Sequence, residues 1–227
     1  MPTDPKILAL SFLLGLFPSI FWLWFWLQED KENPEPIPVL SVVFLMGFIA
    51  VIFVLPIQKF IEASIGSHEL QLILWATAEE LIKYLAVVVV IYRTNLADEP
   101  IDWPIYMITS ALGFAALENA LFLVKPISVG ATAVGLLTGQ LRFLGATLLH
   151  TVTSGIIGLS LGISVHMSGI KRYAHLLFGL SLAISLHSVF NFFIIKNNGS
   201  DFLKVFAFLW VVTIIVMLLF EKIRRMN

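Results

Sequence analysis

Cysteine is absent from the 227-residue sequence, which excludes disulfides, thiol nucleophiles and thiolate metal sites. Charge is scarce as well. Only 13% of residues are Asp, Glu, Lys or Arg against 59% hydrophobic, and the mean hydropathy is +0.94, so a soluble domain with a polar surface is excluded. An excess of either sign is also missing: the net formal charge of −1 names no partner by itself, and no nucleic-acid partner is expected. The lipid bilayer is the solvent that remains.

What the chain has instead is apolar runs about twenty residues long. They fall near residues 7–27, 37–57, 70–92, 101–124, 138–165, 174–195 and 203–220. Each is long enough to cross the hydrocarbon core as a helix, and a barrel of alternating ten-residue strands does not fit. The expected fold is all-α: a polytopic transmembrane bundle of seven spans forming a single membrane domain over residues 1–227. The Gly- and Thr-rich stretch 127–139 suits either a long tilted fifth span or a separate re-entrant piece, which makes eight. The first run lacks a small-residue cleavage site and reads as a retained anchor. Summing Lys and Arg over alternate loops gives Lys31, Arg93, Lys171, Arg172, Lys222, Arg224 and Arg225 on one side. Lys6, Lys59, Lys125, Lys196 and Lys204 lie on the other, which places the C-terminus in the cytoplasm.

Ionisable residues away from span ends occur only in the four middle runs: Glu79, Glu80, Lys83, Glu118, Arg142, His150 and His187. A mid-span Glu, Lys or Arg opposes insertion by roughly 2.5 to 3.5 kcal/mol, so these side chains should face the bundle interior. Lys83 stands four residues from Glu79 and three from Glu80, and it can pair with either. One lysine cannot compensate both carboxylates, so the other is suited to base chemistry. Alternation of helix direction puts Glu79, Glu80, Glu118, His150 and His187 roughly 9 to 18 Å from one membrane face, at a common depth. His187 and Asn191, four apart, share a helix face.

Two hydrolytic mechanisms suit such a pocket. In one, Glu118, His150 and His187 bind zinc and Glu79 or Glu80 takes a proton from water. In the other no metal is used: a glutamate activates water directly while His187 and Asn191 stabilise the oxyanion. Lys83 and Arg142 balance charge in either case. A bundle lined by such groups also describes an ion- or proton-coupled transporter or channel, and a non-catalytic scaffold is a third reading.

The segments Glu79-Glu80-Leu-Ile-Lys83, Phe114-Ala-Ala-Leu-Glu118-Asn119, His150 and His187-Ser-Val-Phe-Asn191 resemble, in order and spacing, the PrsW family of intramembrane proteases. That family is related to the CAAX-prenyl and bacteriocin-processing proteases. The resemblance spans about residues 75–195, within an expected catalytic core of about residues 70–195. It implies proteolysis of a single-span membrane protein, such as an anti-sigma factor, in the plasma membrane of a prokaryote. By position it assigns catalytic roles to Glu79, Glu80, Glu118, His150, His187 and Asn191. Glu118 stands where CAAX-type relatives carry histidine, which brings the chain closer to PrsW.

Overall fold

A computed structural model describes residues 4–30, 33–91, 94, 96–130, 137, 141–196 and 202–225. Seven long helices account for most of them: α1 (Pro5–Trp26), α2 (Ile37–Ser64), α3 (His68–Ile91), α4 (Asp102–Ser128), α5 (Thr147–Ile163), α6 (Ile170–Lys196) and α7 (Phe202–Arg224). A single π-helical turn, Arg142–Ala146, leads into α5. No strand occurs among the described residues. The all-helical expectation therefore holds.

Six of these segments are long and apolar enough to cross a membrane, and α3 is the exception. Its 24 residues suffice in length, but Glu69, Glu79, Glu80 and Lys83 lower its apolar character. The stretch expected to be ambiguous, 127–139, lies largely outside the described residues, as do Lys31 and Arg93 of the charge count.

Helices α4 and α5 form the centre. Leu112, Leu148, Leu149, Val152 and Ile157 are among their fully buried side chains. α1 and α2 pack on α4; α6 and α7 pack on α5; α3 lies between α2 and α6. The peripheral helices turn Leu13, Phe17, Phe53, Phe60 and Leu218 outward, each more than 60% exposed, as lipid-facing side chains should be.

Close approach of backbones replaces the hydrophobic drive that water would supply. A Cβ on Gly47 would stand 1.9 Å from the Ser110 carbonyl oxygen, and one on Gly113 would stand 2.0 Å from that of Phe44. Only glycine allows α2 and α4 to cross at this distance. Gly47→Ala is expected to cost about 1–3 kcal/mol through forced separation of the two helices. Gly66→Ala, where a Cβ meets nothing within 4 Å, should leave thermal unfolding in detergent unchanged.

Candidate active site

The four ionisable middle helices meet as their depths required. On α3, successive residues Glu79 and Glu80 point to different surroundings. Glu80 and Lys83 have no exposed side-chain surface, and Lys83 Nζ donates to Glu80 Oε1 at 2.7 Å. The same carboxylate receives His187 Nδ1 at 2.7 Å and Ser154 Oγ at 3.3 Å, with Thr153 Oγ1 3.0 Å away. Both oxygens of Glu80 are thus occupied. A carboxylate so satisfied is a structural anchor tying α3 to α5 and α6.

Glu79 differs. Its Oε1 accepts from Gln58 Nε2 of α2 at 2.7 Å, whereas its Oε2 is buried without a hydrogen-bond partner. That oxygen lies 3.6 Å from His187 Nε2 and 4.0 Å from His150 Nδ1. Since His187 donates through Nδ1 to Glu80, Nε2 of the neutral ring is an acceptor. Two acceptors facing each other at this distance call for a cation or a proton-bearing molecule between them.

His150 is fixed from both sides. Lys83 Nζ donates to its Nδ1 at 3.2 Å, so Nε2 carries the proton and donates to Glu118 Oε2 at 2.9 Å. Arg142 Nη2 reaches the same Glu118 oxygen at 2.5 Å, and Arg142 Nε reaches Asn119 Oδ1 at 2.5 Å. Asn119 Nδ2 in turn donates to Thr147 Oγ1 at 2.9 Å. The π turn makes this clamp: the widened turn swings Arg142 back onto α4 at the entrance to α5. Phe114 packs beside the group, its ring 5.3 Å from that of His150.

These side chains border a cavity of about 310 Å³. Glu79, Glu118, Arg142, His150, His187 and Asn191 line it, joined by apolar Val51, Val54, Leu55, Leu121 and Phe122. Glu80 and Lys83 stand behind this wall. The expected residues therefore come together, with their roles divided.

The expected zinc set changes in one member. Ligand atoms of Glu79, His150 and His187 lie within 4.8 Å of one another, with Glu79 in the position anticipated for Glu118. Glu118 is instead held by Arg142 and His150. The residues present suit a divalent cation: an unpartnered carboxylate oxygen faces a free imidazole nitrogen, and His187 is backed by a carboxylate as metal-binding histidines usually are.

Gln58 is a site residue that the sequence does not announce. The second apolar run ends at residue 57, whereas α2 continues to Ser64, and a glutamine just past such a run carries no signal by itself. Gln58→Leu is expected to lower kcat about ten- to a hundredfold with KM changed less, since it frees the Glu79 carboxylate while a side chain of similar size keeps the place of Gln58 in the cavity lining. Steady-state kinetics on a cleavable substrate checks this split.

A model of the PrsW family, described as intramembrane metalloproteases, matches residues 35–220. The chain belongs to the PrsW family. Relatives named Protease PrsW include one from Geobacillus kaustophilus (strain HTA426), 28% identical over 187 residues, covering 81% of this chain and 79% of the relative. Another, from Bacillus subtilis (strain 168), is 25% identical over 201 residues, 86% and 88% of the two chains. A third, from Oceanobacillus iheyensis, is 26% identical over 206 residues, 88% and 91% of the two. No solved structure matches the chain. Membership of PrsW, with its apolar helices, makes this an integral membrane protein of an intramembrane protease family.

Proposed function

We propose that the protein is an endopeptidase whose hydrolytic residue is Glu79, acting on one extended segment of a single-span membrane protein drawn into the cavity. The observation that supports this is the carboxylate of Glu79: one oxygen is held by Gln58, and the other is buried and unpartnered at the cavity wall. An oxygen held in this way is placed to take a proton from water and return it to the leaving amine. Arg142 and Asn191, also on the wall, are the donors available to a developing oxyanion. His187 is less suited to that role, because its proton is committed to Glu80.

The peptide has to be unwound to be cut, since a helical backbone hides its carbonyls. The apolar side of the cavity formed by Val51, Leu55, Leu121 and Phe122 suits the side chains of a membrane segment. An anti-sigma-factor-like protein is the substrate class we favour. In this reading α3 crosses the bilayer with the other six helices as a seventh span. The catalytic core of about residues 70–195 then works together with Gln58 of α2, the C-terminus lies in the cytoplasm, and the membrane is the plasma membrane of a prokaryote.

A zinc-type reading has its own support in the family description and in the three ligand atoms within 4.8 Å. Glu79 and His187 would hold the ion, joined by His150 once its Nδ1 gives up the contact with Lys83, and the ion when bound supplies Lewis acidity and lowers the pKa of water. Glu80 keeps its part in either case by fixing the His187 tautomer. Purified protein reconstituted with a single-span substrate separates the readings. Loss of cleavage on dialysis against a chelator, restored by zinc, supports the metal reading; cleavage indifferent to both supports the metal-free one. Absence of cleavage in wild-type protein under every condition overturns the proposal.

A further inference from the structure

A second and larger cavity, of about 670 Å³, opens at the other end of the bundle, between the C-terminal part of α3, the start of α4, the end of α5 and the start of α6. Ile91, at its edge, is twelve residues beyond Glu79, roughly 18 Å along the helix. It is separate from the catalytic cavity and shares no lining residue with it.

Its lining is divided by chemistry. Arg172, Tyr84, Tyr173, Thr94 and Ser168 bring one cation and four hydroxyls, whereas Val88, Ile91, Leu161 and Leu176 are apolar. Among the described residues, Arg172 has no carboxylate partner; its guanidinium lies 5.7 Å from the centre of the Trp103 ring. Trp103 is 9% exposed, lines the same cavity, and its Nε1 is buried without a hydrogen-bond partner. The Thr94 hydroxyl already donates to the Ile91 carbonyl, but an uncompensated guanidinium beside the unused Trp103 donor is an anion site, because Arg binds phosphate oxygens through a planar fork. Tyr and Trp at a helix end mark headgroup depth in a membrane protein. The apolar half continues onto the outward faces of α3 and α6, where Leu81, two turns from Val88 on the same face, and Leu177 are exposed.

From this juxtaposition we infer that the cavity binds an anionic phospholipid, its phosphate on Arg172 and its chains along α3 and α6. Of the sources of a phosphate, a lipid is favoured by the apolar half, which a free ion leaves unused. The inference depends on the protein being membrane-embedded and not on its catalytic mechanism.

The test titrates full-length protein in a non-ionic detergent with phosphatidylglycerol and follows the unfolding temperature. Wild type is expected to rise in a saturable manner. Arg172→Gln should need at least about tenfold more lipid for half the effect, as loss of a charge-assisted contact implies. Arg172→Lys should fall between, and Lys59→Gln, at the opposite end of the bundle on α2, should match wild type. Three results overturn the inference: an equal response in Arg172→Gln and wild type, an equal response to phosphatidylcholine, or full reproduction by glycerol phosphate without acyl chains.

Discussion

Glu79→Gln is expected to reduce substrate cleavage by about 10²–10⁴-fold, the usual contribution of a general base, while leaving the unfolding temperature near that of wild type. The amide keeps its carbonyl oxygen as an acceptor for Gln58 and its shape at the cavity wall, so little packing changes. What disappears is the basic oxygen, which has no partner to lose. The same loss follows if Glu79 is a metal ligand, since an amide is a poorer one. The neighbouring residue makes the control. Glu80→Gln removes a charge that Lys83, His187 and Ser154 all address, so its activity should fall together with its stability. Parallel melting curves and cleavage rates for the two variants distinguish a hydrolytic glutamate from an anchoring one.

Lys83→Met should be the most destabilising single substitution in the site. It leaves the Glu80 carboxylate at zero exposure without its cation, a situation that costs about 3–5 kcal/mol in buried pairs. It also removes the donor that fixes the His150 ring. Combining Lys83→Met with Glu80→Gln removes both charges, and the amide carbonyl introduced by Glu80→Gln can still accept from His187 Nδ1. The double variant should therefore recover much of the stability lost in Lys83→Met alone. Equilibrium unfolding in detergent, arranged as a double-mutant cycle, gives the coupling directly. Additive losses would mean that the two charges do not depend on each other.

The convergence of the middle helices was legible because depth in a bilayer is a matter of counting. At 1.5 Å per residue, Glu79, Glu118, His150 and His187 had to lie at one level, and they do. Other features depended on geometry that counting does not supply. Which of two adjacent glutamates is free follows from about 100° of rotation around α3: one carboxylate meets Lys83, His187 and Ser154, and the other meets Gln58. Gln58 itself was hidden because α2 continues past the end of its apolar run. The exchange of Glu118 for Glu79 among the candidate ligands has a similar origin. Eight residues separate Arg142 from His150, about two turns of regular α-helix, but the π turn at 142–146 alters that register and brings the guanidinium onto Glu118. A π turn leaves little trace in composition. The small residues of the α2–α4 crossing were visible in Gly113-Phe-Ala-Ala, yet their partner Gly47 carried no mark that distinguished it from the apolar residues around it.

Cleavage of a membrane segment at the level of Glu79 is the central claim, and the masses of the products test it most directly. A single-span substrate is incubated with wild-type protein and with Glu79→Gln in vesicles, and the new termini are identified by mass spectrometry. Wild-type products are expected to have new termini inside the span or at its edge, toward the bundle end carrying the catalytic cavity, and Glu79→Gln is expected to give none of these products. Identical products from both proteins, or termini confined to the opposite end of the bundle, would contradict it.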